Sequence, residues 1–368
     1  MLRQYKLKNF NFKLVLFVVA LSVLGYFAIG SARVSYQDRQ MYGIIIGIIM
    51  MIIISLVNYS YYYYVGWVIY GLNIVLLLMV LVLGKEINGA KRWVNIGFQF
   101  QPSELAKILL ILFFAQFIMR NKKTMNTLPT VIAAMLLLAG PILLIYLEPD
   151  LSTSIMIILL FCVMLFVGGL SYKVVFTFLG LAIPASVIFF SLLLREDDNF
   201  LKGYQTGRIL AWLNPEKYAD TTAYQQINST IAISSGQLFG KGLNNNVISS
   251  VKNGNFISEP QTDFIYAIVG EELGFIGAAA VIVLILLIAI ECFKIARYAK
   301  DDMGALICSG MAGLISIQAF MNIAVATGSM PNTGIPLPFV SYGLTSLVSL
   351  YMGIGVVLNV GLQTTKTH

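Results

Sequence analysis

Charge is scarce in this chain, and the few places where carboxylates or cations gather are the places where chemistry can happen. The stretch Phe256–Gly277 holds four carboxylates, Glu259, Asp263, Glu271 and Glu272, between a polar loop and a long apolar run. Asp263 follows Pro260 and Thr262 where loop becomes helix, so it stands at the mouth of a membrane segment. A carboxylate there can accept a proton as a general base. It can equally cap the helix or face its positive end. Spacing alone leaves both readings open.

A second group lies at Gln101–Lys107. Pro102 suits the first turn of a helix and Glu104 its positive end. Lys107 follows three residues later on the same face, with its ammonium inside the outer leaflet and in need of a partner. Glu104 and Lys107 are therefore either a structural pair or part of a polar cavity. Just before them, Lys91, Arg92 and Trp93 offer two cations and an interfacial aromatic, suited to lipid phosphates, to a membrane-interface belt or to an anionic substrate. The only histidine is His368, which rules out a His-based metal site or a Ser-His triad. Cys162, Cys292 and Cys308 lack CxxC spacing and read as small apolar residues.

The elements that must position these groups are membrane helices. The chain is 58% hydrophobic and 11% charged, with a mean hydropathy of +0.83, far from the roughly 25% charge of soluble domains. Apolar runs predict ten spans: Leu14–Ile29, Met41–Val57, Tyr61–Leu83, Pro102–Met119, Leu128–Leu147, Leu151–Gly168, Val174–Leu194, Phe264–Cys292, Met303–Ala326 and Gly343–Val360. The first, preceded by Lys6, Lys8 and Lys13, reads as an uncleaved helix rather than a signal peptide. An even count puts both termini on one side. With the termini inside, the inner segments hold twelve basic residues against three acidic ones, while the outer half holds twelve against fourteen. The net charge of +7 is thus a matter of topology and does not point to nucleic acid.

The expected fold is an all-α polytopic membrane protein, N-in and C-in, forming one domain over 1–368. A long extracellular loop at 195–262 separates helices 7 and 8. That length predicts helices within the loop, including one over Thr221–Ser235 lying at the membrane surface. As continuous helix, residues 263–294 would rise about 46 Å against roughly 30 Å of hydrocarbon, so Gly270 and Gly274 are the expected bends. No other apolar run carries an ionisable residue at its middle, where a proton-coupled transporter would need one.

Together these residues resemble the SEDS family (shape, elongation, division and sporulation), which includes RodA, FtsW and SpoVE. The resemblance runs through Gly89–Trp93, Gln101–Lys107, Glu148–Leu151, Ser235–Leu243, Thr262–Tyr266 with Glu271–Gly274, and Pro331–Gly343. Departures are Ser258 in place of a usual Pro, Ser152 and Leu344 in place of Gly, and an irregular 243–257 loop. The resemblance implies a peptidoglycan glycosyltransferase that polymerises lipid II beside a class B penicillin-binding protein, its substrate's tail staying among the membrane lipids. Joining a β-1,4 bond from an α-linked diphosphate donor inverts the anomeric centre and requires a base, here Asp263. Positive charge or a divalent cation (Mg or Mn) must face the leaving diphosphate, for which Lys107, Lys91, Arg92 and Arg208 are candidates. Glu104 would hold Lys107, and Asp150 would line the cavity or help a metal. The alternatives are a lipid II flippase, which would need a polar path across the bilayer, and a non-catalytic scaffold for the penicillin-binding protein.

Overall fold

Inside a bilayer no water satisfies backbone N–H and C=O groups, so apolar runs close their own hydrogen bonds as helices. The computed structural model describes residues 7–87, 90–95, 97, 99–174, 176, 180, 203–244, 254 and 256–364. Its helices are α1 (Phe12–Ala32), α2 (Val34–Ser55), α3 (Tyr61–Leu83), α4 (Pro102–Arg120), α5 (Leu128–Leu147), α6 (Leu151–Val167), α7 (Gly203–Leu213), α8 (Tyr224–Ser235), α9 (Ile265–Arg297), α10 (Asp302–Ala326) and α11 (Leu344–Leu362). Among the described residues eight helices are long and apolar enough to cross a membrane, and α6 is a shorter apolar helix. The span expected at Val174–Leu194 falls almost entirely outside the described residues. The chain is an all-α polytopic membrane protein with about eight to ten candidate spans.

Burial sorts the helices into a centre and a rim. Of their spans, 83% of α4 and 78% of α10 and α11 are buried, against 22–39% for α1, α2, α3, α5 and α9. The rim helices expose Leu16, Ile49, Val82, Leu136 and Leu286, as lipid-facing surfaces do. At one end of the bundle, Asn9 donates to Thr364 and ties the two ends of the described chain, while Asn11 donates to Glu291, Tyr59 to Asp301 and Lys122 to Asp302. The opposite end carries the candidate chemistry.

Between α3 and α4 the chain forms a small antiparallel sheet, β1 (Lys85–Ile87), β2 (Ala90–Asn95) and β3 (Gln99–Phe100), in the order β1-β2-β3. Lys85 pairs with Trp93 and Val94 with Phe100, which lays β2 across the ends of α3 and α4. Helix α8 confirms a helix near Thr221–Ser235 but packs by its polar face. Buried Gln226 and Ser229 donate to the carbonyls of Val325, Met330 and Ala326 at the end of α10, while Tyr224 and Ile231 stay exposed.

Helix α9 runs for 33 residues and breaks once, at Gly274 (φ 65°, ψ −163°), while Gly270 stays helical. This backbone region is open almost only to glycine. The orphaned backbone groups are taken up by the 236–242 loop. The N–H groups of Lys241 and Gly242 donate to the carbonyls of Glu271 and Glu272, and those of Phe275 and Ile276 donate to Gln237 and Leu238. The chains approach so closely that a Cβ at Gly240 or Gly274 would strike the other strand of this clamp.

Candidate active site

Asp263 lies one residue before the N-cap of α9, which is Phe264, and no side chain caps that helix. Its place is set by main-chain bonds. Asn322 of α10 donates to the Asp263 carbonyl at 2.8 Å, Ser341 Oγ to the Thr262 carbonyl at 2.6 Å, and the Tyr342 N–H to the Gln261 carbonyl at 2.8 Å. Three neighbouring carbonyls are thus gripped by α10 and the 328–342 loop, and the side chain is left partly open. Gly334 (φ 69°) forms the facing wall, and a Cβ there would sit 3.5 Å from Asp263 Oδ2.

Arg208 approaches from α7. Its Nη1 donates to the Asn332 carbonyl at 3.1 Å, and Trp212 Nε1 on the same helix donates to Gly328 at 3.0 Å, so α7 is seated on the loop that walls Asp263. Burial pushes the Asp263 carboxyl up to about 6; Arg208 opposes the rise most, Glu259 adds to it, and Arg92 and Asp150 act from further off in opposite senses. A carboxyl titrating near 6 is ionised at neutral pH yet basic enough to take a proton.

Successive residues of a strand face opposite ways, which separates the two β2 cations. Lys91 is exposed, whereas Arg92 turns onto the Glu148–Asp150 turn. Arg92 donates to the carbonyls of Glu148 and Pro149 and lies 3.9 Å from Asp150 Oδ2. Asp150 also caps α6, accepting from the Thr153 N–H at 3.1 Å. Glu148 is fully buried; burial, reinforced by Asp150 and opposed by Arg92, pushes its carboxyl up to about 8, so it is neutral at pH 7.

Lys107 and Glu104 meet at 2.8 Å, with 1% and 5% of their side chains exposed. Lys107 Nζ also donates to Gln318 Oε1 at 3.2 Å, and Gln318 Nε2 donates to the Pro336 carbonyl at 2.9 Å. The expected pair exists, and it reaches the Asp263 wall through Gln318 rather than by lying open beside it. Glu271 pairs with Lys241 at 2.7 Å and Glu272 accepts from Ser31, so both belong to the α9 clamp. Sequence reasoning missed Gln318, Asn322 and Ser341. Two amides four residues apart in an apolar helix were the available signal for Gln318 and Asn322.

A divalent ion needs oxygen ligands converging on one point. Among the described residues no three of His, Cys, Asp or Glu cluster to hold one. Asp150 already spends one oxygen on its helix cap and faces Arg92 with the other.

The chain matches the family described as cell cycle protein (FtsW/RodA/SpoVE) over residues 5–366. It is 33% identical to the peptidoglycan glycosyltransferase MrdB of Escherichia coli (strain K12), over 94% of this chain and 92% of that one. It is 34% identical to stage V sporulation protein E of Bacillus subtilis (strain 168), over 94% and 95%. Its fold is similar to the crystal structure of the rod shape determining protein RodA from Thermus thermophilus, with a TM-score of 0.70 and 26% identity over 97% and 98%. A chain in a structure described as coordinating polymerization and crosslinking by a peptidoglycan synthase complex gives a TM-score of 0.76 at 29% identity, over 96% and 97%. With a family match nearly end to end and relatives a third identical over the same span, the chain belongs to the SEDS (FtsW/RodA/SpoVE) family of peptidoglycan glycosyltransferases.

Proposed function

We propose that this multi-pass membrane protein polymerises lipid II into β-1,4 glycan strands at the outer membrane face, with Asp263 as the general base. The observation that carries the reading is the state of Asp263. It caps no helix, it is held by its main chain, and burial pushes its carboxyl up to about 6 where it faces Gly334. The acceptor 4-hydroxyl gives its proton to Asp263 while its oxygen attacks the anomeric carbon of the donor. The bond from that carbon to the diphosphate breaks, the lipid diphosphate leaves with the electron pair, and α becomes β. Product release returns the proton to water.

Arg208 and Arg92 are the cations best placed for the diphosphate, being part-exposed and near enough to act on Asp263. Lys91, exposed on the other face of β2, is suited to the lipid phosphate at the rim. Lys107 and Glu104 act as a buried brace for the 331–338 segment. No step runs through Mg or Mn, for which the described residues supply no ligand set. The similarity to a chain of a peptidoglycan synthase complex supports a class B penicillin-binding protein as partner.

The test is purified protein with labelled lipid II, with and without that partner. Asp263→Asn inserts normally, keeps its partner and makes no detectable glycan, since losing a general base costs about 100- to 10,000-fold in rate. Near-normal polymer from this variant would remove Asp263 as the base.

A further inference from the structure

We infer that Asn322 is a positioning residue for the base: it staples the Asp263 segment to the loop that forms the opposite wall of the site. The inference rests on Asp263 acting as proposed above. Asn322 lies in the last two turns of α10, 1% exposed. Its Nδ2 donates to the Asp263 carbonyl and to the Ile335 carbonyl, each at 2.8 Å. One amide nitrogen therefore joins two segments separated by some seventy residues of chain.

The orientation of the amide follows from its neighbours. Both contacts are carbonyl oxygens, so the side chain must present its nitrogen to them; the flipped amide would set three oxygens together. Ile335 is the next residue after Gly334, where a Cβ would sit 3.5 Å from Asp263 Oδ2 and 3.9 Å from Arg208 Nη1, and three residues after Asn332, whose carbonyl accepts from Arg208. Tethering Ile335 to Asp263 thus fixes the separation between the carboxylate, the Gly334 wall and the loop carbonyl that holds Arg208. Gln318, one turn earlier on α10, grips the adjacent Pro336 carbonyl, so α10 supports this wall at two successive residues.

An apolar residue at 322 would leave a buried and a part-buried carbonyl without this donor and let the segments part. Such a shift acts on geometry at the reacting atoms more than on substrate capture, and a 1 Å misplacement can cost about 100-fold in rate.

The experiment compares Asn322→Leu with Asn359→Leu. Asn359, near the far end of α11, is equally buried and also holds two backbone groups, the Tyr59 N–H and the Ser55 carbonyl, away from the site. Both variants are assayed with labelled lipid II beside Asp263→Asn, and their melting temperatures are measured in detergent. The expected result is a similar loss of melting temperature for the two leucine variants. Only Asn322→Leu should lose about 10- to 100-fold in kcat, with KM changed less than about threefold. Asn322→Ser, which keeps one donor, should retain an intermediate kcat, and it carries the test if Asn322→Leu does not accumulate. If Asn322→Leu and Asn322→Ser turn over like wild type while Asp263→Asn is inactive, the inference fails and the base stands. An equal kcat loss in Asn359→Leu also overturns it, because any buried amide would then do. Polymer from Asp263→Asn would remove the base itself, and the inference with it.

Discussion

As the proposed base, Asp263 would work in the ionisation state that its surroundings disfavour. Its folded pKa of about 6 lies above the 3.8 of an unperturbed group, so the folded state binds its proton more tightly. Stability from this group is full below the unfolded value and lost as pH rises through about 6. Asp263→Asn should therefore melt no lower than wild type in detergent at pH 7.5, and the difference should close as pH falls below 5. The pH–rate profile should rise through about 6 as the carboxylate forms. Arg208→Gln should move that limb to higher pH, because Arg208 is what chiefly holds the pKa down. An unmoved limb would separate Arg208 from the base. Glu148 obeys the same sign: its contribution is lost as pH rises from about 4.5 through 8, and Glu148→Gln should remove the part of the loss above about pH 6, beyond the Asp263 window, in melting scans.

At the scale of elements, two connections support the segments around Asp263. The first is the α4–α10 brace from Glu104 through Lys107 and Gln318 to Pro336. Removing one partner strands a buried charge, at about 3 kcal/mol or more. Glu104→Ala and Lys107→Ala should each cut polymerisation severely, and the double mutant should fall far short of additivity. Two singles with normal activity would show that the brace does nothing for the site. The second connection is the break in α9, which turns the half-helix behind Asp263 onto the 236–242 loop. An L-residue at the Gly274 backbone angles costs on the order of 1–3 kcal/mol, and its Cβ would also strike Leu238 and Gly240. Gly274→Ala should lower both melting temperature and activity. Gly71→Ala, on an open face of α3, should melt at or slightly above wild type.

For the whole molecule, the candidate site and the two ends of the described chain, Asn9 and Thr364, lie at opposite ends of the bundle, so orientation decides where the chemistry occurs. The end carrying Arg120, Lys122, Lys123, Lys294, Arg297 and Lys300 is the basic one and should face the cytoplasm. Single cysteines replacing exposed Lys123 or Lys300 should resist an impermeant thiol reagent in intact cells, and one replacing exposed Glu216 should react. The reverse labelling would place Asp263 inside and leave an outer-face polymerase untenable. A label at Asn245, in the same outer loop, would fall outside the described residues.

Hydrophobic run lengths placed the long apolar helices: Tyr61–Leu83 and Leu128–Leu147 match the observed bounds to the residue, while Met41–Val57 falls seven residues short of the observed start of Val34–Ser55. Bilayer thickness and backbone hydrogen bonding force an apolar run to be helical but do not mark where its polar ends stop. Basic residues set the expected side, residue spacing singled out Asp263, Glu104, Lys107 and Arg92, and the family resemblance added Asp150 and Arg208 as candidates. Spacing could not choose between a helix cap and a base for Asp263, since that depends on where Phe264 ends the turn and on what grips three carbonyls from α10 and the 328–342 loop. Nor could it separate Lys91 from Arg92, which the strand of an unforeseen sheet sends to opposite faces. Between Gly270 and Gly274, local sequence offered two hinges; the 236–242 loop bonds only to the groups freed at the second. Asn322 and Gln318 were silent because a buried amide in an apolar helix acquires meaning only from the distant carbonyls that tertiary packing brings to it.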